Sequence, residues 1–227
     1  MKKHILFGGA ILIALGASAQ KKKKSDTPAV ATYSDSISYA FGISLANNLK
    51  NQGVDSISFD AFYQGFKAFY ENQNWLTNDQ AQLFLKDFIS KKQQIANENN
   101  RKAGEAFLAN NKSKPGVITL PSGLQYKVIN KGTGTVKPTL ADKVKTHYHG
   151  TLIDGTVFDS SVDRGQPISF PVNGVIRGWV EILQMMVVGD KFEIYVPQDL
   201  AYGARGQSKI KPFSTLIFTV ELLDIEK

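Results

Sequence analysis

The chain has 227 residues, 42% apolar, 21% charged and 11% aromatic, an ordinary globular mixture that excludes a disordered or fibrous polymer. It has no cysteine, which excludes disulfides, thiolate chemistry, thiolate-held zinc and lipid attached through cysteine. The net charge of +7 is local: Lys2, Lys3 and Lys21–Lys24 lie where no acid occurs, and residues 25–227 carry 21 basic against 20 acidic side chains, so no nucleic acid is expected as a partner.

Residues 1–19 have the layout of a secretory signal. Lys2 and Lys3 precede an apolar run from Ile5 to Leu15, and Ala17-Ser18-Ala19 supplies small residues for cleavage after Ala19. The run is too short for a span of about 30 Å of hydrocarbon. A soluble, exported protein of bacterial type is expected, hence a periplasmic location, with outer-membrane association left open. Residues 20–34, with Lys21–Lys24, read as a flexible basic leader.

From Ser36 to about Asn111 the apolar period is helical. Ile37, Phe41, Leu45 and Leu49 form one stripe, with Asp35 or Ser36 as cap and Gly53 as stop. Phe59, Phe62, Tyr63, Phe66, Phe69 and Tyr70 form a second, heavily aromatic helix opened by Ser58 or Asp60. A third helix opens at Thr77, where Gln80 completes a capping box, and no proline interrupts it before Pro115. At about 34 residues it is roughly 50 Å long. Its middle, Lys91 to Lys102, is polar, so it is expected to be a spacer between two bodies or a lone arm. Residues 35–76 are therefore assigned to a helical dimerisation domain and 77–114 to a long linker helix. The aromatic surface exceeds what so small a bundle can hide, which predicts a homodimer through residues 35–112 rather than a compact monomer.

From Val117 the period becomes two. Leu124–Ile129, Val144–Leu152, a strand entered through the Asp154-Gly155 turn, Pro167–Phe170, Lys191–Val196 and Thr215–Ile225 read as strands. Trp179, Leu183 and Met186 mark a helix of two to three turns ended by Gly189. The fold class is α+β: an all-helical N-terminal region with a long connecting helix, then a curved antiparallel sheet wrapped on one short helix over 117–227.

No GxSxG, Walker loop or HExxH occurs. His147 and His149 alternate on one strand and face the same side, but spacing offers no third ligand, so no metal and no cofactor are expected. Tyr148, Phe158, Trp179, Tyr202 and Phe218, with Asp159, occupy positions consistent with one concavity, and equally with a plain aromatic core.

Five motifs decide between these. Val144-Lys-Thr-His-Tyr-His-Gly-Thr-Leu152, Asp154-Gly-Thr-Val-Phe-Asp-Ser-Ser161, Gly174-Val-Ile-Arg-Gly-Trp179 and Leu200-Ala-Tyr-Gly203 stand in order within 120–225, and Leu120-Pro-Ser-Gly-Leu-Gln-Tyr126 stands at the junction. They resemble the FKBP-type peptidyl-prolyl cis-trans isomerases. Ser38-Tyr-Ala-Phe-Gly-Ile-Ser-Leu-Ala-Asn-Asn-Leu49 and Gly104-Glu-Ala-Phe-Leu-Ala-Asn110 resemble the dimerisation domain of the exported, Mip-like bacterial branch.

The resemblance implies Asp159, Tyr202, Tyr148, Phe158 and Trp179 as catalytic residues, with Trp179 as the pocket floor. It implies Phe170, Val175, Ile176, Phe218, Arg164 and Ile210 as substrate-binding, Arg164 supporting the Asp159 carboxylate. Ile168 replaces an aromatic common in eukaryotic members, and Lys211-Pro212-Phe213 stands where the family commonly has a Pro-Pro pair and an Asn. The implied partners are proline-containing unfolded or nascent exported polypeptides, with the family's macrolide inhibitors as pocket ligands. The implied function is isomerisation of X-Pro bonds without a covalent step, joined to chaperone-like assistance by a dimer. A non-catalytic holdase or a partner-binding scaffold using the same pocket is the alternative.

Overall fold

The computed structural model describes residues 32–226. The expected signal at 1–19 and the leader up to residue 31 lie outside the described residues. Helix α1 (Tyr33–Asn51) is opened by Thr32. Asp35 N–H donates to the Thr32 hydroxyl oxygen at 3.1 Å, and the Asp35 carboxylate accepts from Thr32 N–H at 3.0 Å. Asp35, an expected cap, is instead the reciprocal partner of a cap three residues earlier, because the pair satisfies two end N–H groups at once. Helix α2 (Phe59–Tyr70) is capped by Ser58, whose hydroxyl accepts from Ala61 N–H at 3.3 Å. Helix α3 (Asn78–Asn111) runs 34 residues from the expected Thr77–Gln80 capping box. The chain divides after Asn51 into two units, and α2, α3 and everything beyond lie in the second.

No residue of α1 or α2 is buried, and α3 buries only Gly104 and Asn111. Both lie near its C-terminal end, where the helix packs on the sheet. Asn111 Nδ2 donates to Gln125 Oε1 at 3.0 Å, and Gln125 Nε2 donates to the Leu108 carbonyl at 2.9 Å. Phe107 lies 6.0 Å from the Tyr195 ring. Gly104 lies against Thr215, which leaves no room for a side chain. The expectation of a helix that only spaces or projects is thus corrected for its last turns, which are built into the C-terminal body.

Seven strands follow: β1 (Val117–Thr119), β2 (Gln125–Asn130), β3 (Lys143–Leu152), β4 (Val157–Ser160), β5 (Ile168–Pro171), β6 (Lys191–Val196) and β7 (Leu216–Glu226). They form one antiparallel sheet in the order β1-β2-β6-β7-β3-β4. One edge of β3 runs along β7, and its other edge is shared, β5 pairing Lys143–Thr146 and β4 pairing His149–Thr151. The Asp154-Gly155 turn takes Gly155 to φ +85°, with Asp154 accepting from Thr156 N–H at 2.9 Å.

Helix α4 (Arg177–Leu183) lies on the sheet. Gly178 permits this: a Cβ there would sit 2.6 Å from Val196 Cγ1. The helix stops at Leu183, short of the expected Gly189, because Asp190 captures the chain beyond it. The Asp190 carboxylate accepts from Val187 N–H at 2.9 Å and from Gly132 N–H at 2.8 Å, and Gly189, at φ +92°, turns the chain into β6. Ile182, Leu183 and Met186 join Leu124, Val144, Ile194, Leu216, Val220 and Leu222 in a fully buried core. Each such side chain contributes about 1.5–3 kcal/mol.

Candidate active site

Strand alternation fixes which side chains meet. On β3, Val144, Thr146, Tyr148 and Gly150 face the core while the residues between them face outward. Tyr148 therefore enters the space between sheet and α4, where Trp179 arrives from the helix. The Trp179 ring is met near edge-on by Tyr148 (5.4 Å, 88°), Phe170 (5.4 Å, 62°) and Phe218 (5.2 Å, 82°). Phe158 meets Phe218 at 5.4 Å and 85°. Gly150 makes this last contact possible, since a Cβ there would lie 2.7 Å from Phe158 Cζ and 3.0 Å from Phe218 Cε1. The result is an aromatic box with Trp179 at its base, opening into a cavity of about 650 Å³. That size suits a short peptide segment or a drug-sized molecule.

Ten of the eleven expected site residues line this cavity, and Ile168 adds a further apolar wall. Arg164 is the exception and reaches the site through Asp159. The Tyr148 hydroxyl donates to one Asp159 oxygen, and Arg164 Nη1 pairs with the other. Arg164 Nη2 also donates to the Tyr148 oxygen at 3.0 Å, closing a three-member ring of interactions. Burial opposes ionisation of Asp159. The bonds from Tyr148 and Arg164, the Arg164 charge and the Ser160 N–H outweigh it and hold the carboxyl below its ordinary value. Burial, then the Asp159 carboxylate, raises the Tyr148 phenol. Tyr202 is raised by burial and by the same charge.

Ile176 precedes α4, and its carbonyl accepts from Trp179 N–H at 2.9 Å and from Val180 N–H at 3.1 Å. The same cap that ends β5's connection thus places Trp179. Four lining residues escaped sequence reasoning: Gly174, Gln207, Ser208 and Lys209. The last three belong to a polar loop whose composition carries no pocket signal. A bridge between Gln207 and Ile210, with both N–H···O distances 2.7 Å, folds that loop and brings Ile210 into the wall. His147 and His149 stay outside: His147 Nδ1 lies 3.1 Å from the Ser161 hydroxyl and His149 Nδ1 lies 3.0 Å from that of Ser160. No cluster of three or more His, Cys, Asp or Glu able to hold a metal occurs among the described residues.

Comparison with known proteins gives the chain's family. Residues 134–223 match the profile of the FKBP-type peptidyl-prolyl cis-trans isomerases, and residues 34–128 match that of the domain amino-terminal to such isomerases. The outer membrane protein MIP of Legionella longbeachae is 45% identical over 212 residues, covering 89% of this chain and 90% of that one. The FKBP-type 22 kDa peptidyl-prolyl cis-trans isomerase of Escherichia coli strain K12 is 41% identical over 204 residues, 88% of this chain and 98% of its own. The crystal structure of FkpA from Escherichia coli superposes with a TM-score of 0.72 at 33% identity, over 86% of this chain and 98% of that chain.

Proposed function

The chain belongs to the FKBP-type peptidyl-prolyl cis-trans isomerases, and on that premise we propose that the Trp179 pocket is its catalytic site and that a dimer uses two such pockets on unfolded exported chains. The observation that carries the site is the Asp159 carboxylate, held ionised by Tyr148 and Arg164 in the wall of an otherwise aromatic cavity.

The chemistry asks for no nucleophile. The barrier of roughly 18–20 kcal/mol is amide resonance, and no σ bond breaks. A ten-thousandfold acceleration removes about 5.4 kcal/mol of it. The planar amide separates charge more than the twisted one, so an apolar cavity disfavours the ground state more. Trp179, Phe158 and Phe218 supply that medium and grip the proline ring, with Phe170 and Val175 closing its sides. The Ile176 N–H and the Tyr202 hydroxyl hold flanking carbonyls in a turn. Asp159 presents negative charge to the carbonyl carbon as it twists, with Tyr148 and Arg164 keeping it in place.

The helical region supports the second half of the reading. Phe41 is 73% exposed, Phe66 57%, Trp75 86% and Phe84 66% within one chain. Such apolar surface marks an interaction face, and a second copy of residues 35–112 covers it. Two pockets on one dimer then raise the effective concentration of each for a bound chain. The charge layout of residues 1–19 supports export to the periplasm. The holdase alternative leaves the ring around Asp159 without a use.

The test is cis-to-trans isomerisation of a Leu-Pro tetrapeptide by the mature chain and by Asp159→Leu. The variant is expected to lose most of the rate while still binding. An equally fast variant removes the electrostatic part of the mechanism.

A further inference from the structure

The loop that forms one rim of the pocket is pinned from outside, by the long helix. Between Gly206 and Ser214 the backbone turns sharply: Gly206, Ser208 and Phe213 have positive φ, at +61°, +49° and +60°. Glycine adopts this freely, but a bulky residue such as Phe213 persists there only where its surroundings hold it. Its own N–H donates to the Gly203 carbonyl at 2.8 Å. The residue before it, Pro212, has its carbonyl held by Asn100 Nδ2 of α3 at 2.6 Å. The same amide nitrogen lies 3.0 Å from the Ser214 hydroxyl oxygen, and that hydroxyl donates to the Lys211 carbonyl at 2.8 Å. Asn100 thus grips the turn on both sides of its strained residue. One helical turn on, Gly104 sits flush against Thr215, so α3 lies directly behind the start of β7.

Immediately upstream of the gripped turn stand Gln207, Ser208, Lys209 and Ile210, all on the pocket wall. Ile210 is only 6% exposed, whereas the three before it are exposed. With the proline ring on the Trp179 floor, as proposed above, the residues flanking it would meet the rim. How closely the rim stands over the floor therefore sets which flanking side chains fit.

We infer that Asn100, on the connecting helix, is a positioning residue that sets the stance of the 207–210 rim and through it the enzyme's discrimination at the residue next to proline. This rests on the Trp179 pocket being the isomerase site. None of the bonds Asn100 makes involves Asp159, Tyr148 or Arg164. Its loss should therefore act on substrate fit rather than on the twisting step. The arrangement also gives the long helix a role at the pocket beyond separating two bodies.

The experiment measures kcat and KM of the full mature chain on Ala-Pro, Leu-Pro and Phe-Pro tetrapeptides, for the parent, Asn100→Ala, Asn100→Asp, Ser214→Ala, the neighbouring exposed control Asn99→Ala, and Asp159→Leu. Alanine is the better helix former, so Asn100→Ala keeps the helix. Urea midpoints verify the fold of each variant. In Asn100→Ala the ratio of kcat/KM between Leu-Pro and Ala-Pro is expected to change at least threefold, through KM, with kcat within twofold of the parent. Asn100→Asp, which sets an acceptor against the Pro212 carbonyl, should change it more. Ser214→Ala should change it in the same direction, and Asn99→Ala not at all. An unchanged ratio, or an equal fall for all three peptides, overturns the inference while a slow Asp159→Leu leaves the pocket assignment standing. A fully active Asp159→Leu removes the electrostatic role of the pocket alone, and the Leu-Pro to Ala-Pro ratio in Asn100→Ala still decides this inference.

Discussion

Arg164 and Asp159, five residues apart, form an ion pair on the wall of the pocket, and the Tyr148 hydroxyl completes the carboxylate's coordination from β3. The hairpin carrying β4 and the turn after it thus supplies both the charge and the group that keeps it charged.

The pH dependence follows. Asp159 has a folded pKa lowered from 3.8, so its ionised form, and whatever it contributes, is fully present above that ordinary value and is lost as pH falls through the lower folded value. The parent's kcat/KM is expected to be flat from about pH 8 down to about pH 5. Arg164→Leu removes a hydrogen bond and a charge that lower the pKa and leaves burial, which raises it. Its acid limb should therefore move upward, measured as the pH of half-maximal kcat/KM. An unmoved limb would assign the acid dependence to another group.

Gly150→Ala probes the aromatic wall. The added methyl would sit 2.7 Å from Phe158 and 3.0 Å from Phe218 at their rings, so one ring must leave its edge-to-face contact. Overpacking of this kind costs about 1–3 kcal/mol. Tetrapeptide kcat/KM should fall about tenfold or more, with a urea midpoint lowered by no more than that cost implies.

How legible this was in the sequence depends on the kind of residue. The alternation of Val144, Thr146, Tyr148 and Gly150 announces both the strand and the inward face of Tyr148, and Trp179 stands out as the one tryptophan on a short amphipathic helix. Local pattern suffices there because burial follows period. The docking of α3 was not legible. Asn100 lies in the polar stretch and Gly104 and Asn111 follow it, and a side-chain amide or a glycine at a packing contact differs from a solvated one only through a partner far along the chain, here Pro212, Thr215 and Gln125. The Gln207–Lys209 part of the rim was hidden for the same reason, being polar and folded onto the pocket by a two-residue bridge to Ile210. Strand β1 is three residues long, too short to show a period.

The docked end of α3 predicts where the C-terminal body begins. Asn111 is fully buried and bonds Gln125, itself 3% exposed. Asn111→Leu leaves the Gln125 oxygen without that donor, at about 1–3 kcal/mol. The urea midpoint should drop with an unchanged slope. A chain starting at Lys112 should be less stable than one starting at Ser90, because only the longer one retains the bonds of Asn100 and Asn111.

The last expectation concerns α2. Phe62, Phe66 and Tyr70 lie along one face with tilted rings and centroid spacings of 6.2 and 5.1 Å, and Tyr70 is 71% exposed. In the proposed dimer, a second copy covering this stripe would make a charge at its centre costly, since a carboxylate buried without a partner loses its hydration. Phe66→Asp should shift the mature chain from dimer to monomer in sedimentation. The pocket lies on other elements, so tetrapeptide kcat/KM should remain within twofold of the parent. Refolding of a proline-limited protein substrate should slow, because two pockets no longer act on one chain. A variant that stays dimeric would move the interface to another face of the helices. A monomer that refolds its client as fast as the parent would show that a single pocket suffices, and the aromatic stripe would then serve assembly alone.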